Sequence, residues 1–366
     1  MFRERLAGLA VVAGILTCAG CGERGVPAPL TYPLPPTTAF MKGMTEAAYQ
    51  VNVLNNPQVY ASLPRLRRDG VNWISLQVAW YQTTDRSNRI FPDPRETPTD
   101  ASVTRFIRYV NGLGMRVFLD VFVNANRGNA WQAVFHPSNP QAWFQSYDRY
   151  LVHYAKLAAA DRVSLFAIGD EFDSLDDVPA YTPYWTRAIA DVRRYYHGPV
   201  TYGANYTHYQ RITFWKQLNM VGLDAYFPLS SAARPTTPQL VSALNRLARQ
   251  IYTWRQRAGL TEKPFVITEL GYFSGNGTAK KPGDWRAAAP VNLQLQKQCY
   301  QATFQTIYRR RWLRGIFWFW WANPSNPHWQ GGPADNGYTP RNKPAEKVLR
   351  AYFTVPRSRW FPAAGK

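Results

Sequence analysis

The alternation of short apolar runs with helical segments predicts a single (β/α)8 barrel. Eight runs have the length and the β-branched or aromatic content of buried parallel strands. About 330 residues follow the N-terminal leader, which suits one large domain with one core. A doubly wound open sheet is the alternative architecture. The predicted strands are Ala39–Met44, Asn72–Ala79, Arg116–Val123, Val163–Ile168, Val200–Asn205, Met220–Tyr226, Phe265–Thr268 and Gly315–Phe319.

Two of the predicted helices have clear boundaries. One takes Thr237 as its N-cap and Pro238 in its first turn, and apolar side chains then recur at steps of three and four from Leu240 to Trp254. Another begins after Thr97–Asp100 and is expected to end near Gly112.

The first twenty residues have the pattern of an export signal. Two arginines precede an apolar stretch, Leu6–Leu16, which is too short for a confident membrane-spanning helix. Ala19 and Gly20 directly before Cys21 fit bacterial lipoprotein processing, which predicts Cys21 as the site of lipid attachment. We therefore expect an exported protein held in the cell envelope by a lipid anchor. An ordinary secretory signal, giving a secreted or periplasmic protein, is the alternative.

Residues 21–37 contain five prolines and show no hydrophobic periodicity, which predicts an extended tether. The predicted organisation is a signal peptide at 1–20, this tether at 21–37, and one barrel domain at 38–366. Processing at Cys21 would leave Cys299 as the other cysteine, so no internal disulfide is expected.

Two glutamates, Glu171 and Glu269, follow or close the apolar runs assigned to strands four and seven. In a barrel of this kind the chemistry takes place at the C-terminal ends of the strands. Glycosidic bond cleavage needs two carboxyl groups, so the pair predicts a glycosidase, although either glutamate alone is more typical of capping or ion pairing. The candidates for substrate binding at the same strand ends are Trp80, Gln82, Asn124, Asp170, Asn205, Asp224, Tyr226, Trp318 and Trp320.

The strand-end motifs as a set resemble glycoside hydrolase family 113, a β-mannanase family of the clan A barrels. The resemblance extends over essentially the whole folded region. It is carried by Trp73, Trp80–Gln82, Thr97–Asp100, Ile168–Glu171, Tyr202–Asn205, Gly222–Leu229, Thr268–Tyr272, Phe317–Trp321 and Tyr338–Glu346.

The resemblance implies that Glu171 is the general acid and base, that Glu269 is the nucleophile, and that the reaction retains anomeric configuration. Carboxyl groups about 5 to 5.5 Å apart would permit a covalent intermediate. The reaction requires Glu171 to be protonated when the substrate binds. The adjacent Asp170 and the charge of Glu269 are expected to raise the pKa of Glu171 and so to favour this state.

The sequence also departs from the family pattern. Asp170 stands where the family commonly has Thr, and Leu119–Asn124 replaces a Lys-Pro-His pattern of relatives. We expect a β-linked polysaccharide substrate, with β-mannan as the first candidate and an acidic exopolysaccharide made by the same cell as the alternative. A rival of another class is a lipid-anchored barrel that binds polysaccharide without cutting it.

A net charge of +20 favours an anionic neighbour, such as a phospholipid surface, an acidic wall polymer or an acidic substrate. Export argues against nucleic acid, and Arg65–Arg68 and Arg309–Arg311 fall at predicted helix ends or solvated faces. The five histidines are scattered, so we expect no metal site and no cofactor. We expect a monomer, with Trp285, Trp329 and Tyr338 as candidates for distant sugar subsites.

Overall fold

The computed structural model describes residues 32–128, 130–285, 289–322 and 330–361, which form a closed barrel. Eight parallel strands pair in chain order, and the last strand pairs with the first. This confirms the predicted (β/α)8 architecture and excludes the open sheet. The strands are β1 Met41–Ala48, β2 Trp73–Gln82, β3 Arg116–Ala125, β4 Leu165–Asp170, β5 Val200–Asn205, β6 Val221–Asp224, β7 Phe265–Leu270 and β8 Leu313–Trp318.

Helices connect the strands and form the outer layer. They are α1 Pro57–Arg68, α2 Asp100–Gly112, α3 Pro140–Ala160, α4 Asp173–Asp176, α5 Thr182–Arg193, α6 Thr237–Arg257, α7 Leu293–Gln305 and α8 Pro344–Phe353. Short 3-10 helices lie at Val53–Asn55, Gln132–Val134, Pro179–Tyr181, Trp215–Gln217, Ile307–Arg309 and Arg357–Trp360.

The predicted start of α6 is wrong by one residue. Thr236, not Thr237, is the N-cap: its side chain accepts from the backbone N–H of Gln239, whose side chain accepts in return from the Thr236 N–H at 2.8 Å. This reciprocal capping box requires a glutamine three residues after the cap, a spacing that fits Thr236 and not its neighbour. Helix α2 begins at Asp100, one residue before the predicted start, and its N-cap is Thr99, whose side chain accepts from the Ser102 N–H at 3.2 Å.

Side chains alternate between the barrel interior and the helical layer along each strand. One apolar cluster fills the interior near the starts of most strands, and a much larger one lies between strands and helices. The interior cluster consists of Met41, Trp73, Phe118, Leu165, Ala167, Val266 and Phe317. Because this layer closes the barrel from below, polar side chains further along the strands collect at the opposite end.

The predicted signal peptide and Cys21 lie outside the described residues. The end of the predicted tether is described, and it contacts the barrel: the Tyr32 N–H donates to the Gly112 carbonyl at 2.9 Å, and Arg116 donates to the Pro35 carbonyl at 2.7 Å. Among the helices that the structure describes, none has the length and apolar character needed to cross a membrane.

Candidate active site

Five carboxyl groups converge at the C-terminal ends of the strands. They come from β3, β4, the residue after β4, β6 and β7, and each lies close enough to at least one of the others to affect its charge. We call this group the carboxyl cluster: Asp120, Asp170, Glu171, Asp224 and Glu269.

Glu269 is held by hydrogen bonds on both of its oxygens. Tyr226 Oη donates to Oε2 at 2.7 Å, and Gln77 Nε2 donates to Oε1. Gln77 is itself oriented by Tyr49, whose hydroxyl donates to Gln77 Oε1. Burial raises the pKa of Glu269 to about 7, while the bonds from Tyr226 and Gln77 hold it down. The carboxylate is therefore fixed in orientation and can be ionised near neutral pH.

Glu171 lies in a strained turn immediately after β4. Its φ of 48° is in the left-handed region that residues with a side chain rarely adopt, and its N–H donates to the Gly203 carbonyl at 2.8 Å. Burial raises the pKa of Glu171 well above its usual value, and the charges of Asp224 and Glu269 add to this effect. A hydrogen bond from Trp131 acts in the opposite direction. Glu171 therefore keeps its proton more readily than Glu269.

Asp170 and Asp224 face each other across the backbone of Gly203. A Cβ on Gly203 would lie 2.9 Å from Asp224 Oδ2 and still closer to Asp170 Oδ1, so the site needs a glycine here. Thr268 donates to Asp224 Oδ1 at 2.7 Å, and Gln132 donates to Asp170 Oδ2 at 3.3 Å. Burial raises the pKa of both aspartates, and each is also raised by neighbouring carboxylates. The pair is suited to share a proton.

Asp120 completes the cluster from β3, in register with Gln77 on β2. Gln77 Nε2 donates to its Oδ2 at 3.1 Å. Burial raises the pKa of Asp120 to about 8, and the Glu269 charge adds to the rise. One oxygen from each of Asp120, Asp170 and Glu269 lies within 4.8 Å of the other two, a spacing at which the three could hold a cation.

The sequence model of glycoside hydrolase family 113 matches residues 47–343. The chain belongs to this family. It is a glycosidase, as the glutamate pair and the strand-end motifs predicted.

Solved structures agree with this assignment. A family 113 β-1,4-mannanase is 26% identical, with a TM-score of 0.74 over 87% of this chain and 99% of that chain. The family 113 β-mannanase from Alicyclobacillus acidocaldarius is 25% identical, with a TM-score of 0.76 over 86% of this chain and 97% of its own. A β-glucuronidase from Ruminococcus gnavus shares the fold at 13% identity and a TM-score of 0.57, over 86% of this chain and 50% of that one. Comparison with curated proteins gave no match.

In the folded protein, five of the site residues predicted from the sequence lie together: Glu171, Glu269, Asp170, Asp224 and Tyr226. Three more of the predicted site residues, Asn124, Asn205 and Trp320, lie at the rim of the same end of the barrel. Asn124 forms a hydrogen bond with Tyr81, Asn205 accepts from Thr207 at 2.8 Å, and Trp320 packs near Tyr49 at 6.1 Å between ring centroids. The Phe319–Trp320 peptide bond is cis.

Three predicted binding residues do not reach the cluster. Trp80 packs on Tyr150 of α3 at 5.1 Å, Gln82 accepts from Trp143 of α3 at 2.7 Å, and Trp318 stacks on Tyr300 of α7 at 3.9 Å. Each occupies a strand position whose side chain points to the helical layer. Alternation along the strand places Gln77 and Tyr81 on the inner face of β2 instead.

The sequence reasoning missed four residues that contact the cluster or orient it: Tyr49, Gln77, Trp131 and Gln132. Asp120 was noted only as part of a departure from the family pattern. Gln77 and Asp120 carried a usable signal, because each is a polar residue in the middle of an apolar strand. Tyr49 lies in a loop, and Trp131 and Gln132 lie at the start of a short 3-10 helix, where no periodicity marks a site.

Two of the candidates for distant subsites are described. Trp285 is 57% exposed, whereas Tyr338 is buried and donates to the Pro282 carbonyl at 2.6 Å. Trp329 lies outside the described residues. Of the basic runs, Arg309–Arg311 lines a surface groove of about 840 Å³ with Arg249, beside α6 and α7 and apart from the cluster.

Proposed function

We propose that the enzyme hydrolyses a β-linked hexopyranose polysaccharide with retention of anomeric configuration, and that β-1,4-mannan is the first candidate substrate. The observation that supports the mechanism is that two carboxyl groups of one cluster have surroundings that favour opposite protonation states. Tyr226 and Gln77 stabilise the ionised form of Glu269, while burial and neighbouring charges keep Glu171 protonated. Such a split supplies a nucleophile and an acid at the same pH.

In this mechanism Glu171 protonates the leaving glycosidic oxygen while Glu269 attacks the anomeric carbon and forms a glycosyl ester. Glu171, now ionised, then takes a proton from water as that water attacks the same carbon and releases Glu269. Both glutamates return to their starting states. Gln77 and Tyr226 position the nucleophile, and Trp131 contacts the acid.

The substrate proposal draws on the two solved family 113 structures, both named as β-mannanases. Of the alternatives raised by the sequence, an acidic exopolysaccharide is disfavoured, since a uronate would face the carboxyl cluster. A barrel that binds without cutting is disfavoured because the two glutamates are prepared in opposite protonation states.

The test measures product release from a panel of β-glycans by the chain from residue 38 onward and by its Glu269→Ala and Glu171→Gln variants. We expect both variants to lose cleavage, and nuclear magnetic resonance of the first product formed to show the β-anomer. The matched control is Glu262→Gln, an exposed glutamate ahead of β7. An α-anomeric first product would refute retention. Binding without cleavage by the parent would favour the non-catalytic barrel.

We also propose that the chain is exported and lipid-anchored through Cys21, and that its positive surface lies against anionic lipid or wall polymer. Metabolic labelling with a clickable fatty acid tests the anchor. Labelling of the parent that disappears in Cys21→Ala is expected, and equal labelling of both would refute the assignment.

A further inference from the structure

Three members of the carboxyl cluster form a buried acidic pocket. Asp120, Asp170 and Glu269 are 1%, 5% and 8% exposed, and their facing oxygens lie within 4.8 Å of one another. Asp120 Oδ1 has no hydrogen-bond partner within the described ranges, and the Oδ1 atom of Asp170 has none other than the neighbouring Asp224, with which Asp170 can share a proton. Every ion pair found in those ranges lies elsewhere, so no described basic side chain neutralises the three.

Burial without a cationic partner raises the pKa of all three groups, because the ionised forms are costly there. A ligand that brings positive charge and hydrogen-bond donors would stabilise the ionised forms, so the pocket favours such a ligand. The pocket belongs to the active site of a glycosidase, and the ligand that enters it is therefore a sugar unit. We propose that the unit bound here carries a free amino group at carbon 2, held as an ammonium by Asp120, Asp170 and Glu269. This inference rests on the proposed glycosidase mechanism, and within the β-linked hexopyranose polysaccharides it favours a polymer of 2-amino sugars over β-mannan, whose units carry a hydroxyl at carbon 2.

An ammonium has one donor for each of the three carboxyl groups, and its geometry is compatible with their separation. It has three donors, and tetrahedral N–H···O contacts of about 2.8 Å place three acceptors about 4.6 Å apart. This spacing lies within the 4.8 Å limit of the three oxygens. A neutral hydroxyl offers one donor and would leave two carboxylates facing each other. Acetylation of the amine would remove the charge and leave one donor, so a de-N-acetylated unit is the class that fits.

The contact with Glu269 determines which carbon of the sugar ring carries the amine. As the proposed nucleophile, Glu269 must reach the anomeric carbon with one oxygen. A group that bonds to the other oxygen of the same carboxylate must therefore be carried by the neighbouring ring atom, carbon 2. A divalent metal ion is a poorer occupant: calcium takes six to eight oxygens, and the described group offers three, one of them on the nucleophile.

The test uses aryl β-glycosides of gluco, galacto and manno configuration, each as the 2-amino, 2-hydroxyl and 2-acetamido form, so that linkage along a polymer plays no part. Affinities are measured by calorimetry on Glu171→Gln, which retains all three residues of the pocket. We expect the amino form of at least one configuration to bind about 10- to 100-fold more tightly than its hydroxyl parent, which is the gain expected if even one of the two additional charged hydrogen bonds contributes in full.

Two further variants, Asp120→Asn and Asp170→Asn, are near-isosteric and should remove most of this preference, while Asp161→Asn, a buried aspartate of the helical layer, should leave it intact. Thermal unfolding checks that each is folded. Equal affinity for amino and hydroxyl forms, or no measurable affinity for any amino form, overturns the inference. Tight calcium binding that is lost in Asp120→Asn would assign the pocket to a metal instead.

The two proposals fail separately. If the parent cleaves β-mannan through Glu269 and shows no preference for an amine, the glycosidase mechanism stands and the amino-sugar assignment falls. If Glu269→Ala cleaves as fast as the parent, the mechanism itself is wrong, whichever sugar binds.

Discussion

Replacement of Tyr226 by Phe tests how the ionised form of Glu269 is maintained. The change removes the hydroxyl that donates to Glu269 Oε2 at 2.7 Å and keeps the ring. A hydrogen bond to a charged group contributes about 1.5–3 kcal/mol, which corresponds to about 1–2 pKa units. Because the bond lowers the pKa of Glu269, its loss should raise that pKa above the present value of about 7.

The assay is the pH dependence of kcat/KM. The nucleophile must be ionised, so activity in the parent should rise with pH through about 7, and it should fall again where Glu171 loses its proton. In Tyr226→Phe the acid limb should move upward by about 1–2 units, with activity at pH 7 about 5- to 50-fold lower and partly recovered at higher pH.

Tyr272→Phe is the matched control, because Tyr272 follows β7, the strand that carries Glu269, but its hydroxyl lies 3.3 Å from Thr303 of α7, away from the cluster. Its profile should match that of the parent. An acid limb that stays in place in Tyr226→Phe, even with reduced activity, would refute the claim that this hydrogen bond sets the ionisation of Glu269.

Three further predictions concern the site and one buried ion pair outside the carboxyl cluster. Gly203→Ala should lower the unfolding free energy by about 1–3 kcal/mol and reduce kcat/KM, since its Cβ overlaps two carboxylates; an unchanged melting temperature would contradict this. Buried Lys343 pairs with buried Asp335 at 2.8 Å, so Lys343→Met should lower the unfolding free energy by about 3–5 kcal/mol in urea titrations because it leaves the aspartate charge without a partner. The exposed control Lys347→Met should have little effect. Trp131→Phe removes a hydrogen bond that lowers the pKa of Glu171, so the alkaline limb of the pH profile should move upward; a downward shift would reverse the assigned sign.

Much of the fold was determined by local sequence pattern. The eight strands overlap the apolar runs, because a strand buried on both faces needs a continuous apolar stretch wherever it lies in the barrel. The glutamate pair was likewise visible, since Glu171 and Glu269 mark the ends of two such runs. The polar positions Gln77 and Asp120 interrupt their strands and could have been read as members of the site.

The tertiary structure determined whether each residue at a strand end points into the barrel or toward the helices, because this depends on the pairing register of the strand. A shift of one residue reverses every side chain of a strand, and the apolar runs of β2 and β8 do not fix their phase. Trp80, Gln82 and Trp318 therefore looked like site residues and point to the helices instead.

By itself the sequence determined the barrel, the family and the two glutamates, because each depends on residues close together in the chain. The pocket of Asp120, Asp170 and Glu269 depends on three separate strands meeting at one end of a closed sheet. Distances between side chains from separate strands, and the pKa shifts that follow from their mutual burial, exist only once the barrel has closed.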